Sequence, residues 1–375
     1  MPQPRRWFAD PMADDSYDYL VLGSTPLAGL LAGLLAIEHK RRVCLVGEPF
    51  SPFRLQRSID ISIAPVTRPE TLILMKRAAA ETSKLVTSWG KGLVSRSDPL
   101  FIAEAPQSIA ALGHFRHLAI ALGYAVEPVV DRAIAEGLML RVRDVHLLGH
   151  GRLEPVLESW LSKHEVRHLD RADTELTLRK DGTARIVHAG HSVEAAQVIL
   201  AGDDAVLEHL PAEARDRSLE AVTGAAMLLD AAKPLPAAYV SFLDRGVSLV
   251  QDGKVSVSAL LAGDPTTTRA RLGSAVSRGD ALRLAGETVA SSLRTSDGAP
   301  FIGPARGHKA LVIAALGPAA AFLAPALARY IAGTAPADEA EWFAARGPSR
   351  GNQRLLAADY LAADFLGTDE LAVPA

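Results

Sequence analysis

The stretch Tyr17-Asp18-Tyr19-Leu20-Val21-Leu22-Gly23-Ser24-Thr25-Pro26-Leu27-Ala28-Gly29-Leu30-Leu31-Ala32-Gly33-Leu34-Leu35-Ala36-Ile37 decides the fold. It reads as an apolar strand, a turn of small residues and an Ala/Leu/Gly helix running to about His39. Arg42–Val46 follows as a second strand. Two parallel strands joined by a helix make a right-handed βαβ unit, and strands apolar throughout are strands covered on both faces. The turn invites comparison with a dinucleotide fingerprint. There a first glycine allows the tight turn, a second lets the backbone approach a pyrophosphate, and a third small residue lets helix pack on strand. Gly23 and Ala28 fill the first and third roles, with Gly29 directly after. Thr25 stands at the second, its Cβ where the phosphate approaches. The helix N-terminus still offers unpaired N–H groups and a partial positive charge. Glu48, twenty residues after Ala28, lies just beyond the second strand. An acid at that place accepts hydrogen bonds from adenosine ribose hydroxyls, the alternative being a solvated loop acid.

Downstream, Thr71–Trp89, Pro106–Gly123 and Gly151–His164 read as helices, with Val166–Leu169 a strand. Thr174–Arg179 and Ala184–His188 flank Asp181-Gly182, which predicts a hairpin with a type I′ turn. Ala196–Ala201 is an apolar strand ending in Gly202-Asp203-Asp204. Between Ala221 and Ala262 the character changes to short alternating segments (Ala238–Leu243, Gly246–Val250, Val255–Leu261), which predict an antiparallel sheet. A helix is expected near Arg278–Ala290, leading to Arg294. A second apolar βα unit spans Ala310–Ile331 and breaks at Gly317-Pro318.

With 375 residues, 49% apolar and 22% charged, the chain is expected to build one large or two intertwined globular domains. A net charge of −3 without a basic run argues against nucleic acid as the main partner. Cys44 is the only cysteine, which excludes internal disulfides and cysteine-rich metal sites and makes a reducing cytoplasm the expected location. The polar first sixteen residues lack the apolar core of a signal peptide. Leu20–Ile37 and Ala310–Gly333 are long enough to imitate membrane spans. Both divide into strand, turn and helix, so no membrane span is expected. No metal site is expected either: His114 and His117 share a helical face without a third ligand, and His188, His191 and His308 fall at turns. No G-x-S-x-G elbow or Walker A sequence is present.

The C-terminal third makes the reading specific. Arg294-Thr295-Ser296-Asp297-Gly298-Ala299-Pro300-Phe301-Ile302-Gly303 resembles the R-x-x-x-D-G-x-P-x-I-G segment of the glycine oxidase and D-amino-acid oxidase superfamily, with one residue fewer between Arg294 and Asp297. Ala310–Ala328 is similar to the strand, glycine turn and helix that follow it there. Ala196–Gly202 is similar to that superfamily's internal strand ending in glycine near the cofactor. The resemblance covers about residues 17 to 335. It implies an α/β fold: a Rossmann-like FAD-binding domain of discontinuous segments (17–70, 130–205 and 290–335) and an antiparallel-sheet substrate domain (71–129 and 206–289). A C-terminal helical tail (336–375) would follow. It also implies non-covalent FAD, since Cys44 lies in mid-strand. Gly303, Gly317 and Ala320 would lie near the isoalloxazine ring, and Gly202 near the cofactor. The last helix would aim its N-terminus at the flavin's pyrimidine end, where reduction places negative charge. The chain departs from the pattern at Gly317-Pro318-Ala319-Ala320-Ala321, where relatives carry a glycine-rich turn. Proline removes a donor and alanine crowds an approach.

Arg294 is the candidate for holding a substrate carboxylate through its planar fork, with pairing to an acid such as Asp297 as the alternative. Tyr239 is a candidate hydrogen-bond donor, or else a core tyrosine. The leading expectation is an FAD-dependent oxidoreductase acting on the C–N bond of a small amine or amino acid. The runner-up is a catalytically weakened subunit or binding module in a complex, favoured by the two turns that have lost glycines. Homo- or hetero-oligomers are compatible with either. A flavoenzyme acting on tRNA bases is disfavoured by the acidic balance.

Overall fold

The computed structural model describes residues 16–48, 59–131, 134–231, 233–252, 255–262, 272, 283–295 and 298–348. The decisive stretch forms β1 (Ser16–Leu22) and α1 (Pro26–Ile37), and β2 (Val43–Gly47) lies parallel to β1. Around this pair grows an eight-stranded sheet with β9 (Arg167–Asp170), β10 (Thr174–Leu178), β11 (Ala184–His188), β12 (His191–Ala201), β18 (Phe301–Pro304) and β19 (Leu311–Ala314). Its centre, β19-β12-β1-β2-β9, is wholly parallel. The hairpin β10–β11 borders the first half of β12, and β18 runs antiparallel to β19.

Helix α1 is apolar all round because it is covered all round: every residue from Pro26 to Leu35 is buried. It packs against α4 (His150–Lys163) and α6 (Ala324–Ile331). A Cβ on Gly29 would meet Leu157 Cδ2 at 2.7 Å, and one on Gly33 would overlap the Trp160 ring. Glycine therefore sets the α1–α4 approach. Among the described residues no helix is long and apolar enough to cross a membrane.

The second sheet contains β5 (Leu100–Ala103), β6 (Val126–Val129), β7 (Leu138–Val142), β13 (Leu219–Asp230), β14 (Tyr239–Phe242), β15 (Val247–Asp252), β16 (Ser256–Ala262) and β17 (Arg283–Thr295). Its order is β17-β13-β16-β15-β14-β5-β7-β6, antiparallel except where β5 meets β14. Beside these lies a three-stranded sheet of β3 (Ile59–Ile61), β8 (Val145–Gly149) and β4 (Val94–Ser97). Helices α2 (Pro69–Trp89), α3 (Pro106–Ala121), α5 (Asp203–His209) and α7 (Ala337–Ala344) complete the described elements.

Two expectations are corrected. Residues 283–290 are not helical; they begin β17, which pairs with β13 from Asp230↔Arg283 to Leu219↔Thr295. The long β13 edge needs a partner for its backbone donors and acceptors, and Gly286, Thr288, Val289, Ser291 and Ser292 are poor helix formers. The remainder of the expected helix, 278–282, lies outside the described residues. The Asp181-Gly182 turn is not type I′, since Gly182 has φ +89° while Asp181 keeps a negative φ. The Gly182 N–H donates to the Arg179 carbonyl at 3.0 Å, so Lys180 and Asp181 are the central residues and the glycine follows them. The type I′ geometry falls instead at Ala189-Gly190 (φ +49° and +81°), between β11 and β12. Residues 1–15, and the tail from 349 onward, lie outside the described residues.

Candidate functional site

The carboxyl ends of β1, β12 and β19 open into a cleft of about 1510 Å³, part of it continuous with solvent. The second sheet walls the far side with Thr223–Ala225 of β13, Leu260–Ala262 of β16 and Ser291–Thr295 of β17. Open α/β sheets bind ligands at such a crevice, outside the carboxyl ends of their strands. A smaller cleft of about 420 Å³ shares Ser24, Thr25, Pro26 and Glu154 with it and extends past Glu48 and His168.

The βα turn is built as tightly as its sequence implies. Gly23 has φ +152°, and a Cβ there would meet the Ala201 carbonyl oxygen at 2.7 Å and the Ala28 methyl at 2.9 Å. Its N–H donates to the Val46 carbonyl at 3.1 Å. Ala28 is fully buried beneath the turn, and Gly29 lines the smaller cleft. Glu48 also lines the smaller cleft, and its N–H donates to Ser24 Oγ at 2.9 Å. Burial holds the neighbouring His168 imidazole below its ordinary pKa. Gly202, Gly317, Ala320 and Arg294 all line the larger cleft.

Asp297, the alternative partner for Arg294, lies outside the described residues. The Arg294 Nε and Nη2 atoms donate to Glu220 Oε2 at 2.8 and 2.7 Å, across the β13–β17 register. Gly303 and Tyr239 lie away from both clefts. Gly303 is covered by the chain after α7, where a Cβ would meet Pro348 Cδ at 2.6 Å. Tyr239 is 6% exposed in β14, its ring 6.2 Å from that of Phe101 and its hydroxyl 3.4 Å from Ser248 Oγ. It is a core residue.

Sequence reasoning missed the carboxylates of the cleft. Asp60, 2% exposed on β3, accepts from His150 Nε2 at 2.6 Å and from the Ala321 N–H at 3.5 Å. The Asp203 carboxylate takes the N–H groups of Leu293 (2.9 Å) and Ala315 (2.7 Å), bracing β17 against the end of β19. Ala315 is held at φ +55°, a conformation in which alanine is strained. Asp204 Oδ2 accepts from the Ser24 N–H at 3.2 Å. The signal for Asp60 was an acid inside the alternating run Ile59-Asp60-Ile61-Ser62-Ile63. For Asp203 and Asp204 it was a pair of acids opening a helix. Among the described residues no three His, Cys, Asp or Glu side chains gather to hold a metal ion.

No family model matches this chain, and no curated protein sequence matches it. Solved structures match across most of its length. The glycine oxidase from Geobacillus kaustophilus superposes with a TM-score of 0.63 at 15% identity, over 86% of this chain and 95% of that one. The L-amino acid deaminase from Proteus vulgaris, with its specific insertion deleted, gives 0.66 at 13% identity, over 94% and 99%. The iminodiacetate oxidase from Chelativorans sp. BNC1 gives 0.61 at 17% identity, over 85% and 96%. The fold of this chain is therefore that of these solved oxidases and deaminase.

FAD is the cofactor this fold implies, and the residues present accommodate it. Glycine is required sterically at Gly23 and Gly47. Glu48 lines the smaller cleft beside that turn. The first turn of α1 leaves backbone N–H groups facing the cleft, and the Ser24 and Thr25 hydroxyls stand beside them. Pro26 supplies no N–H, and Thr25 places a Cβ where glycine would leave room. The Thr25 side chain makes no capping hydrogen bond to α1. Thr25→Gly is therefore expected to tighten FAD binding severalfold while costing only a few tenths of a kcal/mol in stability. Isothermal titration with FAD alongside a thermal melt checks both halves.

Proposed function

We propose that this protein is an FAD-dependent oxidoreductase that oxidises the C–N bond of a small amine or amino acid. One observation carries the reading. Two clefts that share Ser24, Thr25, Pro26 and Glu154 bring a dinucleotide-type turn (Gly23, Thr25, Glu48) beside a chamber lined by Gly202, Gly317, Ala320 and Arg294. When bound, FAD supplies the hydride acceptor. Gly23, Thr25, Gly29 and Glu48 would hold its adenosine and pyrophosphate, and Gly202, Gly317 and Ala320 would border the rest. Arg294 faces the same chamber from β17, its side chain 28% exposed. Glu220 holds the guanidinium through Nε and Nη2, which in this reading would leave Nη1 for a substrate carboxylate. The apolar wall of Leu260, Leu261, Leu293 and Ile313 keeps bulk water from that side of the chamber.

Binding is non-covalent in this reading: Cys44 is fully buried, and burial pushes its thiol up to about 12, which leaves it unreactive. The parallel sheet with its helices serves as the FAD-binding part and the antiparallel sheet as the substrate part, in a cytoplasmic protein. The test is the visible spectrum of the purified chain. Flavin absorbance that survives gel filtration and is released by heat is expected. A colourless protein that takes up no FAD on titration overturns the proposal.

The second reading, a cofactor-free subunit that keeps the fold, is favoured by the Asp204 carboxylate on the Ser24 N–H. That contact occupies a donor that the first reading assigns to the cofactor.

A further inference from the structure

We infer that Asp204 is an internal occupant of the pyrophosphate position, and that it sets the affinity of this site for a phosphate-bearing cofactor. The inference rests on the FAD reading above. Its carboxylate folds back over Gly202: a Cβ on Gly202, whose φ is +125°, would lie 2.7 Å from Asp204 Oδ1 and 3.8 Å from Thr25 Oγ1. The other oxygen, Oδ2, accepts from the Ser24 N–H at 3.2 Å. One anionic group thus sits between the end of β12, the Thr25 hydroxyl and the Ser24 N–H of the βα turn. That concavity is where a dinucleotide fold receives its pyrophosphate.

A carboxylate and a phosphate compete for the same donors because both are anions that accept charge-assisted hydrogen bonds. The pyrophosphate must displace Asp204 from Ser24 and then tolerate its charge nearby. The residues lining the two clefts include Asp60, Glu154, Asp203, Glu48 and Glu158, and Arg294, held by Glu220, is the one Lys or Arg among the described lining residues. Gly202 is needed for the arrangement, since any side chain there meets the carboxylate.

The experiment is a fluorescence titration of the purified full chain with FAD, and separately with riboflavin, which carries no phosphate. Wild type is compared with Asp204→Asn and Asp204→Ala. Both variants are expected to bind FAD at least about tenfold more tightly, or about 1.4 kcal/mol at 25 °C. Riboflavin affinity is expected to stay within about twofold, because the lost charge acts on phosphate alone. The isosteric Asn variant keeps an acceptor for Ser24 and so carries the test if the Ala variant fails to fold. FAD affinity that is unchanged or weaker in folded variants overturns the inference and leaves the FAD reading standing. An equal gain for riboflavin also overturns it, since the effect would then be a general opening of the cleft. Failure of all three proteins to bind FAD overturns the FAD reading, and the inference with it.

Discussion

Replacing Gly47 with alanine is expected to cost both stability and cofactor binding, although the substitution adds one methyl group and no backbone strain. A Cβ at Gly47 would overlap the Gly23 carbonyl oxygen and lie 3.0 Å from the Gly23 carbonyl carbon and 3.4 Å from Ser24 Cα. The obstacle is backbone on a neighbouring strand, so no rotamer change relieves it. The end of β2 must move away from the βα turn, carrying Glu48 off Ser24 Oγ. Overpacking of this kind costs about 1–3 kcal/mol, and more where the neighbour cannot yield. Gly113→Ala is the control. It lies inside α3 with nothing within 4 Å of its Cβ position, so alanine there is expected to raise stability by up to about 1 kcal/mol. Thermal melts and FAD titration of both variants decide the matter. A Gly47→Ala protein that melts and binds like wild type would show that the turn is looser than its geometry implies.

The same turn shows what was legible in the sequence. A βαβ unit writes itself locally: an apolar run, small residues and a second apolar run report burial on both faces without any distant partner. Gly23, Ala28 and Glu48 could therefore be placed by spacing alone. The antiparallel strands at 239–261 were legible for the same reason, since alternation along each strand reports one buried face. The β13–β17 pair was not. Val289 is 62% exposed and Leu284 44% exposed on this edge strand, so no alternation marks it, and its pairing depends on a partner more than fifty residues away. Gly317 and Ala320, named from the resemblance, line the cleft. Gly303, named from it too, is covered by Gly347 and Pro348, which come from beyond the segment compared.

The carboxylates were hidden for a different reason. Their roles are set by backbone N–H groups, which have no letter in a sequence. Asp203 is meaningful only because Leu293 and Ala315 present their N–H groups to it, and Asp204 only because Ser24 does. The acidic character of the cleft follows from bringing β3, α4, α5 and the end of β2 together. Net composition, at −3 for the whole chain, does not reveal it.

Asp60 supplies the second large effect. Asp60→Ala is expected to destabilise the protein by about 1–3 kcal/mol, because it leaves the buried His150 imidazole and the Ala321 N–H without their partner. The pair joins three elements that are distant in sequence. Asp60 stands on β3, His150 opens α4, and the Ala321 N–H belongs to the short 3-10 turn Gly317–Leu323 that forms the cleft floor. Both side chains are buried, with Asp60 at 2% and His150 at 9% exposure, so neither is rescued by water when its partner is removed. Asp60→Asn retains an acceptor of the same shape and is expected to lose about 1 kcal/mol or less. Urea unfolding with an unchanged slope measures each loss. A cycle with His150→Ala then isolates the coupling, which for a direct buried contact is expected to exceed about 0.5 kcal/mol. If Asp60→Ala unfolds at the wild-type midpoint, the pair bears no structural load. Its burial at the cleft would then be there for chemistry rather than for the fold.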